Sequence, residues 1–461
     1  MIFRLLLLFL VAVQFDGVAT VLRFQVPAAI APAFALWKEA ALVCLVTLSV
    51  MATLRRGRLR LAAPRALIAT WLLIIGMGCI EWLVCRAHGT AEPWQSLIAL
   101  RRVYLPAMMF GIIVMPSWTL PPRWEMRILH SLGLVTMIVV ATGWLQALHP
   151  KAWEMHPWIV QAADEGALAI REIQYMFRPF GTFGSPFMYG DFCTIMTMLA
   201  LAYLLFHHRA RLVYWAIFLV ACAGVYTSTI RTSILGAAVG AAYLLIVRLQ
   251  PLRGINFRVV LAMLLVVGSM VAPFALTKFR KENVNTQGQS AYMASGSLAS
   301  RQEFWQVSWD RLKTPTDFIF GLGTGAVGGT QQGKGDRVGV FAYNPVDNFY
   351  LLVMVNHGLV GVALWGALVA QLFWLLIRAS ALESEVVWLL HGTTAMLLMF
   401  IVSSLFHNMP ARTPGAVTFW ILSAVCAVRA HDLIEHRKAK ENRRETITGT
   451  SPSEATCRQE V

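Results

Sequence analysis

Charge is what this chain has least of. Of its 461 residues 14% are Asp, Glu, Lys or Arg, while 57% are hydrophobic. Soluble domains carry about a quarter charged residues, so the scarcity excludes an ordinary soluble fold. Acidic residues are the rarer sign, 24 against 39 basic, for a net charge of +15. Cysteine is sparse: there are seven, and no two stand in a CxxC spacing. Cys44, Cys79, Cys193, Cys222 and Cys426 lie inside apolar runs, as small core residues do. No structural disulfide and no metal site is expected. HExxH, Walker and GxSxG patterns are missing, and so is any internal repeat.

What the chain has instead is long apolar runs. Mean hydropathy is +0.60, and stretches of about 20 apolar residues recur, the length of a bilayer-crossing helix. The pattern predicts an all-α, polytopic integral membrane protein of about twelve spans. They fall near 3–22, 32–53, 66–86, 97–116, 128–147, 186–206, 212–229, 232–248, 258–276, 348–377, 386–406 and 414–430. Residues 1–436 form one membrane domain. Residues 437–461 are polar and charged without an apolar face, and are expected to be a disordered, basic, cytoplasmic tail. Lys38 and Glu39 interrupt the second span; they point about 100° apart, so each is expected to face protein or an interface. The run Met1 to Val13 suits an uncleaved first helix or a signal peptide cut after Ala19, and the first is preferred.

The basic residues sort by loop. Alternate loops hold Arg55, Arg56, Arg58, Arg60 and Arg65, then Arg123 and Arg127, Arg209 and Arg211, Arg248, Arg253 and Arg258, and Arg378. The positive-inside rule puts these in the cytoplasm together with both termini. The same scattering excludes nucleic acid as the partner of the positive charge. Two long loops then face the outside, roughly 148–185 and 277–347. The second opens polar and flexible. It continues as an amphipathic helix, Ser300 to Leu312, and ends in the glycine-rich stretch Gly321 to Gly329. That stretch follows no βαβ strand, so it is a turn back to the membrane and not a dinucleotide fingerprint.

Few groups are left to carry chemistry. Arg231 lies in the polar knot Tyr226 to Ser233, between two apolar runs. It is either a topological anchor or, with Ser228 and Thr232 beside it, a phosphate ligand at a helix start. Arg301 is either a solvated or Trp305-stacked helix residue or a second phosphate cation. Asp347-Asn348 opens the span beginning at Phe349. Asp347 suits an N-cap and also a general base toward a sugar hydroxyl, with Asn348 and Tyr350 beside it to orient or bind sugar. His357 and His407 are hydrogen-bonded structural groups or alternative bases.

Three separated blocks resemble the O-antigen ligase/polymerase superfamily of WaaL and Wzy types. They are Arg178-Pro-Phe-Gly-Thr-Phe-Gly-Ser-Pro-Phe-Met-Tyr-Gly190, Ser228-Thr-Ile-Arg-Thr-Ser233, and Asp347-Asn-Phe-Tyr-Leu-Leu352 continuing to Gly358-Leu-Val-Gly361. Ser300-Arg-Gln-Glu-Phe-Trp305 matches the arginine-bearing helix of the family's periplasmic loop. The resemblance implies a metal-independent inverting glycosyltransferase without cofactor, using a glycan on undecaprenyl diphosphate. Arg231 and Arg301 would hold the diphosphate, and Asp347 would deprotonate the acceptor glycan. Ligases of the family carry His before this Asn. Asp347 therefore favours a polymerase of exopolysaccharide, capsule or O-antigen repeat units, with a chain-length regulator as a possible partner. The alternatives are an O-antigen ligase acting on lipid A-core, a protein O-oligosaccharyltransferase, and, outside enzymes, a transporter or flippase. The last is disfavoured because polar groups gather at span ends.

Overall fold

The computed structural model describes residues 2–56, 61–88, 93–114, 123–164, 172–173, 176–207, 212–249, 254, 256–268, 305–327, 348–382, 384–406 and 414–448. The fold is all-α. In chain order the helices are α1 Ile2–Arg23, tightened by a 3-10 turn at Val13–Phe15, α2 Ala31–Arg56, α3 Arg65–His88, α4 Pro93–Val114 and α5 Trp124–Leu148. Two short helices follow, α6 Pro150–Glu154 and α7 Pro157–Asp164. Then come α8 Pro186–Phe206, α9 Leu212–Thr227, α10 Arg231–Leu249, α11 Asn256–Gly268, α12 Pro315–Phe320, α13 Phe349–Ser380, α14 Val387–Ser404 and α15 Gly415–Thr448. A two-residue antiparallel pair, β1 Glu172–Ile173 with β2 Met176–Phe177, is the only extended pairing among the described residues.

Among the described residues nine helices are long and apolar enough to cross a membrane. The apolar part of α4, Val103–Val114, and the shorter apolar helices α9 and α11 occupy the other three expected positions. Leu54, Leu134, Leu212, Leu249 and Leu264 stand exposed on the outside of the bundle. That is costly in water and natural against lipid tails. The centre is built from α8, α14 and α15, whose apolar windows are mostly buried. Helix α8 packs against α9, α10 and α14, and α15 against α4 and α13.

The charged pair of the second span is resolved as expected. Lys38 reaches Asp16 of α1 at 2.8 Å, and Glu39 pairs with Arg101 of α4. Near the middle of α15, Arg429 bonds Glu125 at 2.9 Å and lies over the Trp124 ring. The expectation of a disordered tail from residue 437 is corrected through Thr448, where α15 continues without a break. Residues 435–448 are rich in Lys, Arg and Glu, all good helix formers. They are laced by Arg437 to Glu441 at 2.7 Å and Lys438 to Glu435 at 2.8 Å, spacings that support an exposed helix.

Candidate active site

The polar helix ends meet at one end of the bundle. Ser185 caps α8 by accepting from the Phe187 N–H at 3.2 Å, with Pro186 at the first helical position, the favoured order of cap and proline. The turn before it is tied in by Gln146, whose Oε1 accepts from the Phe180 and Gly181 amides at 2.9 and 2.8 Å. Thr182 Oγ1 donates to Gln14 O at 2.7 Å, which fastens the same turn to α1. The block from Arg178 to Gly190 is thus a buried corner, not a surface loop.

Helix α10 starts against that corner. Thr229 takes a positive φ of 55°, rare for a β-branched residue and typical of over-determined functional turns. Ser228 Oγ donates to Val225 O at 2.7 Å and accepts from Ile230 N at 3.3 Å. Ser233 Oγ donates to the buried carboxylate of Asp191 at 3.4 Å. Arg231, the first residue of α10, is exposed, while Thr232 is buried. The hydroxyls of Thr229 and Thr232, on either side of it, are buried without a hydrogen-bond partner among the described residues. Buried polar atoms are normally satisfied, so an orphaned pair at a helix N-terminus points to an absent polar ligand or water.

Helix α14 links this start to α13. Ser403 Oγ donates to Thr232 O at 3.5 Å, and Tyr350 OH donates to Ile401 O at 2.7 Å. Helix α13 is capped by Asn348, whose Oδ1 accepts from Leu351 N at 3.1 Å. The cap is therefore one residue later than Asp347, which suited that role in the sequence. Asp347, Arg301 and His407 lie outside the described residues. Ser228 and Tyr350 commit their hydroxyl protons to backbone carbonyls, so both act in the frame of the site. Beside the first turn of α13 opens a cleft of about 680 Å³ between α11, α13 and α14. Val259, Met263, Phe349, Tyr350, Trp365 and Phe400 are among its walls.

His357 lies deeper. It is buried, its Nε2 is 3.1 Å from Tyr104 OH, and its Nδ1 contacts the Glu81 carboxylate. Both ring nitrogens are engaged inside the bundle. Sequence reasoning missed Glu81, Tyr104 and Asp191. The signal for Glu81 and Asp191 was present, since each is an acid inside an apolar span and such acids face protein partners.

Residues 215–366 match the family model described as O-antigen ligase. The match spans about a third of the chain and supports the likeness to the O-antigen ligase/polymerase superfamily. The match covers α10 with its polar start and the first part of α13, and leaves the Arg178 to Gly190 block outside it. A comparison with curated proteins returns no match. The match supports a role in glycan transfer at a membrane, with lipid-linked glycan as the implied substrate class.

Proposed function

We propose that this protein is a polymerase that transfers undecaprenyl-diphosphate-linked oligosaccharide repeat units to a growing bacterial surface polysaccharide. The transfer takes place at the periplasmic face of the inner membrane, with both termini cytoplasmic. The observation that carries the reading is the start of α10. There Arg231 is exposed between two buried, unpartnered threonine hydroxyls at a positive helix end, a setting suited to a diphosphate. The apolar cleft beside the first turn of α13 supports a lipid-linked donor. From Tyr350 to Trp374 its walls follow α13 over about 35 Å of helix path, enough to lay a polyprenyl chain across a leaflet or more.

In this reading Asp347 takes the proton from an acceptor sugar hydroxyl. The hydroxyl oxygen attacks the anomeric carbon from the face opposite the diphosphate. The bond between that carbon and the diphosphate oxygen breaks, and the configuration inverts. The leaving diphosphate carries the electron pair away as negative charge, which Arg231 and Arg301 stabilise more strongly than in the ground state. Asp347 in place of histidine before Asn348 favours the polymerase over the ligase.

The test is glycan analysis of a deletion strain complemented with wild type or Asp347→Asn. Single repeat units in the deletion, restored to long polymer by wild type alone, support the reading. Intact polymer left on undecaprenyl diphosphate and absent from a lipid A or protein acceptor would replace it with a ligase.

A further inference from the structure

Helix α13 is broken where a membrane helix is expensive to break. Gly358 adopts φ 61° and ψ −163°, a conformation essentially reserved for glycine. The break takes the carbonyls of Val355 and Asn356 out of the helical ladder, and in a bilayer an unpaired carbonyl costs several kcal/mol. The glycine-rich stretch supplies the missing donors. Leu322 N donates to Val355 O at 2.9 Å, and Gly323 N donates to Asn356 O at 3.0 Å. The side chain of Asn356 extends the pairing: its Oδ1 accepts from Val327 N at 3.1 Å and its Nδ2 donates to Val327 O at 3.3 Å. Gly321, Gly323 and Gly325 all have positive φ, which lets this backbone lie flat on the broken helix.

The break is also pinned from the other side. Gly78 and Glu81 share one face of α3 by their spacing. The ring of Tyr104, from α4, packs on the bare Cα of Gly78. Glu81 and Tyr104 take the two nitrogens of His357, the residue next to the break. Thr324 Oγ1 donates to Gly78 O at 3.4 Å, so the loop touches the same face. Val327 and Asn348 both stand on the same half-helix, Val327 held by Asn356 and Asn348 as its cap.

We infer that Asn356, His357, Glu81 and Tyr104 are positioning residues, which lock the 321–327 loop and the 349–357 half-helix into one unit and so set where Asn348 stands relative to Arg231. The functional part rests on the proposed transfer reaction. The lever explains why locking matters. Asn348 lies about 15 Å along the helix from Gly358, so a tilt of roughly 4° moves it by about 1 Å. A misplacement of that size costs a rate on the order of 100-fold.

The experiment uses the full chain in proteoliposomes with a lipid-linked repeat unit. It compares Glu81→Gln, Tyr104→Phe and Asn356→Leu with wild type. The expected result is kcat lowered about tenfold or more, with KM for the donor within about twofold, at unchanged amounts of folded protein. The Leu322, Gly323 and Val327 amides should exchange faster with deuterium in Asn356→Leu. Faster exchange with wild-type kcat in all three variants would overturn the inference. So would activity lost only in proportion to folded protein. If wild type transfers finished polymer to an acceptor and makes none, the polymerase reading fails. The same kcat comparison, run on that transfer, then decides the positioning inference.

Discussion

Gly190 of α8 faces Ser233 of α10 so closely that a Cβ on residue 190 would stand 2.7 Å from the serine Oγ. The same Cβ would stand 2.9 Å from Ser228 Oγ. Two blocks of sequence more than thirty residues apart are therefore one packing unit. The bare Cα of Gly190 is what lets the polar start of α10 sit against the corner ending at Gly190. Asp191, the next residue, receives the Ser233 hydroxyl and lies beside Gly415 at the start of α15. A buried carboxylate between two helix N-termini is stabilised by both.

That closeness makes Gly190→Ala a sensitive substitution. The added methyl must push back the Ser228 and Ser233 side chains, and overpacking of this kind costs about 1–3 kcal/mol. The expected outcome is a lowered melting temperature in detergent and a larger loss of glycan transfer than the loss of folded protein explains. Normal melting and normal polymer would show that the corner tolerates a gap between the two helices.

At Arg231 the charge and the fork matter separately. Arg231→Ala should abolish polymer, and Arg231→Lys should retain a small fraction, because lysine keeps the charge and loses the two-pronged hydrogen bonding. Thr232→Val removes an unpartnered hydroxyl. It should leave the fold intact while raising KM for the donor about 10-fold, the effect of losing one charge-assisted bond of about 1.5 kcal/mol. Gel analysis of surface polysaccharide and immunoblots of the membrane fraction check the two Arg231 variants, and rates against donor concentration in proteoliposomes check Thr232→Val.

Most of the bundle was legible in the sequence because a bilayer leaves little choice. An apolar run of the right length must be a helix. The Lys38 and Glu39 partners followed the same logic. The tail was misread as far as Thr448 because lack of an apolar face was taken as lack of structure. Residues 435–448 show that helix-forming residues with paired charges extend an already nucleated helix. The α13 cap was misplaced by one residue since Asp and Asn cap equally well and stand side by side. The break at Gly358 was hidden because Asn356 and His357, just before it, were read as polar residues within one continuous span. Its partner stretch, Gly321 to Gly325, was read as a turn because nothing local says that those glycines exist to meet another backbone. Tyr104 gave no signal at all: its role depends on two helices that pack far apart in sequence.

The cap found at Asn348 separates two roles at the start of α13. Asn348→Ala should lower stability by about 1 kcal/mol, the usual cost of a lost cap, and Asn348→Asp should restore it. Asp347→Asn should leave melting unchanged, because the cap is elsewhere, and abolish polymer by removing the base. Full polymer from Asp347→Asn would remove the base role. A drop in melting equal to that of Asn348→Ala would mean that residue 347 shares the capping.

Glycine content alone does not say which glycines matter, and two helical positions give a controlled comparison. Gly358 sits at φ 61°, where the ψ of −163° is open to glycine and closed to residues with a Cβ. A Cβ there would also run into Ile319 O. Gly76 of α3 has nothing within 4 Å of its Cβ position. Gly76→Ala should therefore be neutral or stabilise by about 0.5–1 kcal/mol through helix propensity. Gly358→Ala should cost about 1–3 kcal/mol of backbone strain before any clash is counted. It should also free the 321–327 amides, because the broken helix and the loop supply each other's hydrogen bonds. Thermal melting in detergent orders the two variants, and deuterium exchange over 319–327 locates the damage. Equal melting for the pair would mean that α13 runs straight through residue 358 in the membrane, leaving the Leu322 and Gly323 amides to find other partners.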